Sequence, residues 1–174
     1  PSEREALIRD HLEGEPRADA YLRFLVEELK PFVDSAYATR PGRDHTALMG
    51  SSMGGLISLY GLCEYPDVFG KAACLSTHWP GALPVNAALP DALLSYLEER
   101  IPDPGGHVVY FDYGTAGLDS LYAPYQARAD LILRKKGYGA RDWATLAFVG
   151  ADHHERAWAE RLYLPFLFLF RRSD

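Results

Sequence analysis

Ser52 sits between two glycines, as Gly50-x-Ser52-x-Gly54. At that spacing a serine hydroxyl can act as a nucleophile toward a carbonyl carbon. The chemistry needs a strand, a strained turn that lifts the hydroxyl, and a helix whose first amides face the reacting carbonyl. The apolar residues 46–50 predict the strand and residues 53–64 the helix. Side chains at the flanking glycine positions are expected to clash across so tight a turn. Ser51 is not the centre of the pattern, because Met49 and Met53 would then occupy the glycine positions. The backbone amide of Met53, the residue after the nucleophile, is the expected oxyanion donor.

A serine nucleophile needs a base, and the base needs an orienting carboxylate. Two later loops supply both, in the order serine, acid, histidine. Tyr113-Gly-Thr-Ala-Gly-Leu-Asp119 follows a strand predicted at 107–112, and Gly150-Ala-Asp-His-His-Glu155 follows one predicted at 143–149. Both loops lie at the carboxyl ends of strands, where open α/β sheets place their ligand crevice. Asp119 and Asp112 are the candidate acids. Asp112 ends a strand and could instead bond loop amides. His153 and His154 are the candidate bases, with Asp152 read as a loop cap and Glu155–Arg156 as a salt bridge holding the loop. His78 and Trp79 follow a strand predicted at 71–76 and are expected at the same crevice, as substrate contacts or as packing. Tyr113, Tyr122, Tyr125, Trp79 and Trp158 could wall an aromatic pocket, although such residues also serve a core. His11 and His45 read as surface residues and His107 as a strand start. No Cys or Asp at ligand spacing joins the His153–His154 pair, so neither a metal nor any other cofactor is expected.

These loops must hang on a sheet. Residues 19–36 read as an amphipathic helix through Tyr21, Leu22, Leu25, Leu29, Phe32 and Val33, with Pro31 expected to end or kink it one turn early. A short helical turn is expected at 5–11. Further helices are predicted at 92–100, 122–136 (with Gly137 as its C-cap) and 157–170. Strands and helices alternate without repeats, which implies a parallel sheet covered on both faces.

The chain has 174 residues, enough for one domain with a sizeable core. A net charge of −6, without a basic tract, argues against a nucleic-acid partner. No apolar run reaches the ~20 residues that a membrane helix needs, and the best, 162–170, is broken by Pro165. Cys63 and Cys74 read as buried thiols. No signal peptide is visible, so a soluble and cytoplasmic setting is favoured. The chain also lacks an initiator Met, so it is expected to begin partway into something longer or to be processed.

The motifs Gly50-Ser-Ser-Met-Gly-Gly55, Gly114-Thr115 with its downstream acid, and Gly150-Ala-Asp-His-His-Glu-Arg-Ala-Trp158 resemble the putative-esterase family of α/β hydrolases. That family includes enterochelin (siderophore), feruloyl and acetyl-xylan esterases, and is similar to the mycolyl transferases. The resemblance runs from about Asp19 to the C-terminus. It implies a three-layer α/β-hydrolase sandwich with a mainly parallel sheet, Ser52 as nucleophile, His153 as base and a small-molecule ester as substrate. Asp119 is the preferred acid. Members carry several strands ahead of the elbow strand, and one of these normally provides the second oxyanion donor. Residues 1–174 are therefore expected to be a single esterase-like domain lacking its N-terminal strands, or a minimal hydrolase completing its sheet as a homo-oligomer. Loss of one oxyanion donor costs roughly 10²–10³ in kcat. An idle hydrolase fold and an acyltransferase are the alternative readings.

Overall fold

The computed structural model describes residues 16–86 and 88–171. The helical turn expected at 5–11, and His11 with it, lies outside them.

Among the described residues four strands form one sheet: β1 (Ala47–Ser51), β2 (Lys71–Leu75), β3 (Val108–Gly114) and β4 (Trp143–Phe148). All neighbours are parallel, in the order β1-β2-β3-β4. Each strand adds to the same side of the one before it. Right-handed crossovers then carry the connecting helices to a single face. Those helices are α2 (Met53–Glu64), α3 (Ala88–Arg100) and α4 (Ala123–Lys136), with α1 (residues 18–36) beside α2.

Side chains alternate across a strand, and the two faces separate accordingly. Ala72, Cys74, Val109 and Phe111 meet Leu59, Leu62, Leu97 and Leu133 in the main core. Ala73, Leu75 and Tyr110 point the other way, toward Leu169, Trp158 and Phe168. These last residues belong to α5 (Glu155–Arg161) and α6 (Tyr163–Phe170), which cover the second face. Cys63 and Cys74 are buried free thiols. Burial pushes the Cys63 thiol up to about 12 and raises Cys74 as well.

Three helices differ from expectation for identifiable reasons. α1 does not end near Pro31. Its segment Phe24–Leu29 widens into π turns and the α-helix resumes over Lys30–Ala36. A proline ring clashes with the carbonyl four residues earlier, and the wider turn directly before it relieves that crowding. Of the expected apolar stripe only Leu22 is fully buried, whereas Phe32 is 62% exposed. α3 begins at Ala88, four residues early, because Asn86 Oδ1 accepts the amides of Ala88 and Leu89 at 3.0 and 3.1 Å. Pro90 is harmless in a first turn. The predicted helix 157–170 is two helices, broken at Leu162, since Pro165 crowds the carbonyl of Arg161. Gly137 adopts φ 99° after α4, and Tyr138 N–H closes back on Leu133 O at 3.0 Å, the left-handed C-cap expected there.

Candidate active site

Ser52 has φ 56° and ψ −120°, a conformation that costs free energy in any residue with a Cβ. Its surroundings impose it. The Ser52 amide donates to Leu75 O at 2.9 Å, while Ser52 O accepts from Gly55, Leu56 and His78 amides at 3.0, 3.3 and 3.2 Å. A Cβ at Gly50 would stand 2.5 Å from Gly54 O, so the turn excludes a side chain there. The same clash expected at Gly54 is absent, because a Cβ there would meet nothing within 4 Å. Met53 is the first residue of α2, where an amide has no intrahelical carbonyl to bond.

Ser52 Oγ lies 2.9 Å from His153 Nε2, and His153 Nδ1 lies 2.6 Å from Asp119 Oδ1. Asp119 sits on a 3-10 turn, Gly117–Leu121, just after β3. Its other oxygen, Oδ2, accepts from Ser76 Oγ at 2.5 Å and from the Gly114 amide at 2.6 Å. Burial by itself would raise this carboxyl. The hydrogen bonds from His153, Ser76 and Gly114 outweigh burial and hold it below the usual carboxylate range.

The acid and histidine loops grip one another. Thr115 and Ala116 amides both donate to Ala151 O at 3.0 Å, and Gly150 N–H donates to Thr115 Oγ1 at 2.8 Å. Asp152 Oδ1 accepts the His153 amide at 2.6 Å, as a loop cap would. Gly117, at φ 53°, lets the loops meet this closely, since a Cβ there would lie 2.0 Å from Asp152 Oδ1.

Of the remaining predicted residues some fall elsewhere, whereas Tyr122 and Trp158 pack edge-on against the His153 ring. Asp112 pairs with Arg161, whose Nε and Nη2 reach Asp112 Oδ1 at 3.1 and 2.9 Å. His154 faces solvent and its Nδ1 caps α5 by accepting the Arg156 amide. Glu155 Oε2 lies 3.8 Å from His154 Nδ1, and no Glu155–Arg156 pair forms among the described residues. Trp79 is not a crevice residue. It is 1% exposed, donates to Gln126 Oε1 at 2.9 Å and packs against Phe111 in the main core. His78 does reach the site, with Nδ1 2.8 Å from the Tyr122 hydroxyl and its ring 6.4 Å from the His153 ring. Burial, and then the neighbouring His153, lower its pKa.

Ser76 and Arg161 were not anticipated. Ser76 reads in the sequence as the end of a strand, and its position at a strand's carboxyl end was the available signal. Among the described residues no group of three or more His, Cys, Asp or Glu could hold a metal ion, and no helix is long and apolar enough to cross a membrane.

A parallel sheet with helices on both faces, and a strained serine at the turn between strand and helix, defines an esterase fold of the α/β-hydrolase type. The chain belongs to the Putative esterase family, whose model matches residues 3–163. Among solved structures it is similar to a ferulic acid esterase, at 20% identity and a TM-score of 0.66 over 86% of this chain and 61% of the other. It is also similar to the enterobactin esterase from Shigella flexneri, at 21% identity and a TM-score of 0.67 over 88% of this chain and 38% of that one. An uncharacterized Bacillus subtilis protein, YjcH, is 40% identical over 61 residues, which is 35% of this chain and 25% of that protein. The chain thus spans about three fifths or less of the length of these relatives.

Proposed function

We propose that this chain hydrolyses carboxylic esters through an acyl-enzyme, with Ser52 as nucleophile, His153 as general base and acid, and Asp119 as the orienting carboxylate. The observation that carries this reading is the unbroken line of contacts from Ser52 Oγ to His153 Nε2 at 2.9 Å and from His153 Nδ1 to Asp119 Oδ1 at 2.6 Å. Asp119 accepts from Nδ1–H, so the lone pair sits on Nε2, where it can take the serine proton.

In the acylation step the Ser52 O–H bond breaks as Oγ bonds to the ester carbon, and the proton passes to His153 Nε2. The carbonyl oxygen becomes an oxyanion facing the Met53 amide. Its collapse breaks the bond to the alkoxy oxygen, which leaves as the alcohol with the proton from Nε2. Water then attacks the acyl carbon, gives its proton to Nε2 and releases the acid, and Ser52 recovers its proton. Asp119 stays ionised throughout.

The name of the ferulic acid esterase points to esters of an aromatic acid as the first class to try. The wild-type chain should be labelled by a fluorophosphonate probe and should hydrolyse some member of a panel of short acyl, feruloyl and catecholate esters. Ser52→Ala should do neither. Equal labelling of Ser52→Ala and wild type would defeat the proposal.

A further inference from the structure

The oxygen of Asp119 that faces away from His153 ends on a second serine with nowhere else to turn. Ser76 is wholly buried at the carboxyl end of β2, in the left-handed region at φ 42°. Its hydroxyl donates to Asp119 Oδ2 at 2.5 Å and accepts from Trp158 Nε1 and Arg161 Nη2, both at 2.9 Å. A serine hydroxyl has one proton and two lone pairs, and all three are used. With both lone pairs occupied by N–H donors, the proton can point only at Asp119. Arg161 is fixed in turn by its two contacts to Asp112 Oδ1 and by a contact from Nη1 to Ala157 O at 3.2 Å. Trp158 also stacks edge-on against His153, with ring centroids 4.9 Å apart.

We infer that Ser76 is a positioning residue for the reaction proposed above, holding the Asp119 carboxylate in the plane and charge distribution that His153 requires. The inference rests on the Ser52–His153–Asp119 reading. The hydroxyl takes up part of the negative charge on Oδ2 and stops the carboxyl group rotating about its last bond. Without it, Asp119 keeps the Gly114 amide on Oδ2, swings more freely, and concentrates charge toward the imidazole. The groups facing His153 are Ser52, Asp119, Asp152, Tyr122, His78 and Trp158, and those facing Ser76 are Asp119, Trp158 and Arg161, with Asp112 behind Arg161.

The test uses Ser76→Ala and Ser76→Gly in the full chain, assayed on p-nitrophenyl acetate across pH. The glycine variant removes the hydroxyl while relieving the left-handed backbone, so the two variants separate the hydrogen bond from the strain. Both are expected to lower kcat roughly 10-fold, about the effect of one charge-assisted hydrogen bond, with KM within about twofold. Both should move the acid limb of the kcat/KM profile to higher pH and shift the downfield proton resonance of His153 Nδ1–H. A purely structural role would leave the limb and the resonance in place. Folded variants with a wild-type limb and resonance overturn the inference. If neither variant folds, Trp158→Phe decides: loss of the Nε1–H donor should shift the limb the same way by less, and an unmoved limb overturns it. Wild type that escapes the fluorophosphonate probe sinks the triad reading itself. Labelled wild type with unmoved variants sinks only the role of Ser76.

Discussion

Trp158 stands edge-on to the ring of His153, its centroid 4.9 Å away and its plane turned by 86°. An edge-to-face pair of this kind contributes about 0.5–1.5 kcal/mol beyond area burial. Here it acts on a ring that must keep two hydrogen bonds aligned at once. Trp158→Leu, which also removes the Nε1–H donor to Ser76, is expected to lower kcat by at least roughly 2- to 10-fold, the rate equivalent of the ring contact alone, with KM little changed. Steady-state kinetics on a small activated ester check this, and a KM effect larger than the kcat effect would contradict it.

The two glycines of the elbow are predicted to behave oppositely. Gly50→Ala puts a Cβ 2.5 Å from Gly54 O, backbone that cannot step aside, and should cost at least about 1–3 kcal/mol as overpacking does. Gly54→Ala meets open space on a helix, so it should be neutral or stabilising by about 0.5–1 kcal/mol. Urea midpoints of the two variants separate these outcomes.

The Asp112–Arg161 pair is buried on both sides, so cutting one partner strands a charge. Arg161→Met should destabilise the chain by about 3–5 kcal/mol. Adding Asp112→Leu should recover much of that loss, because no uncompensated charge remains. Additive losses in the double-mutant cycle would refute the account.

His78 supplies a pH dependence of stability. Its folded pKa lies below the ordinary value, since burial and His153 both disfavour the charged ring. The unfolded chain then binds the proton more readily, so stability falls as pH drops below about 6.5, the unfolded histidine value, and levels off below the folded pKa. His78→Gln should flatten this slope between pH 5 and 7 in chemical denaturation. An unchanged slope would assign it to other groups.

How much of this was readable in the chain varies with the range of the forces involved. The strands lay within two residues of their predicted ends, because runs such as Ala72-Ala73-Cys74-Leu75 are apolar on both sides and can only be central. Helix α2 was legible to the residue, between the elbow and Tyr65-Pro66-Asp67. Errors came where one local feature decided the outcome: Asn86 and Pro165 outweighed the apolar pattern, whereas at Pro31 the helix absorbed the proline by widening into π turns and ran on. Ser52, Asp119 and His153 were visible as candidates through local motifs at strand ends. Ser76 and Arg161 were not, since what gives each its place is a partner 43 or 49 residues distant, Asp119 for one and Asp112 for the other. Trp79 was misplaced because a loop tryptophan next to a histidine looks like a crevice residue until its indole N–H is seen bonded to Gln126 in the core.

The strand order β1-β2-β3-β4 follows the order of synthesis, and this gives the site a timetable. The elbow is made before the loops it meets, since His153 follows 101 residues later, directly ahead of the two helices that close the second face. Arg161, which braces Ser76 and through it Asp119, lies on the first of those helices. A nascent chain made only as far as β3 holds the lifted serine without His153. The Ser52–His153–Asp119 contacts and completion of the fold therefore arrive together, and under the proposed reading a half-made chain holds its serine without a base.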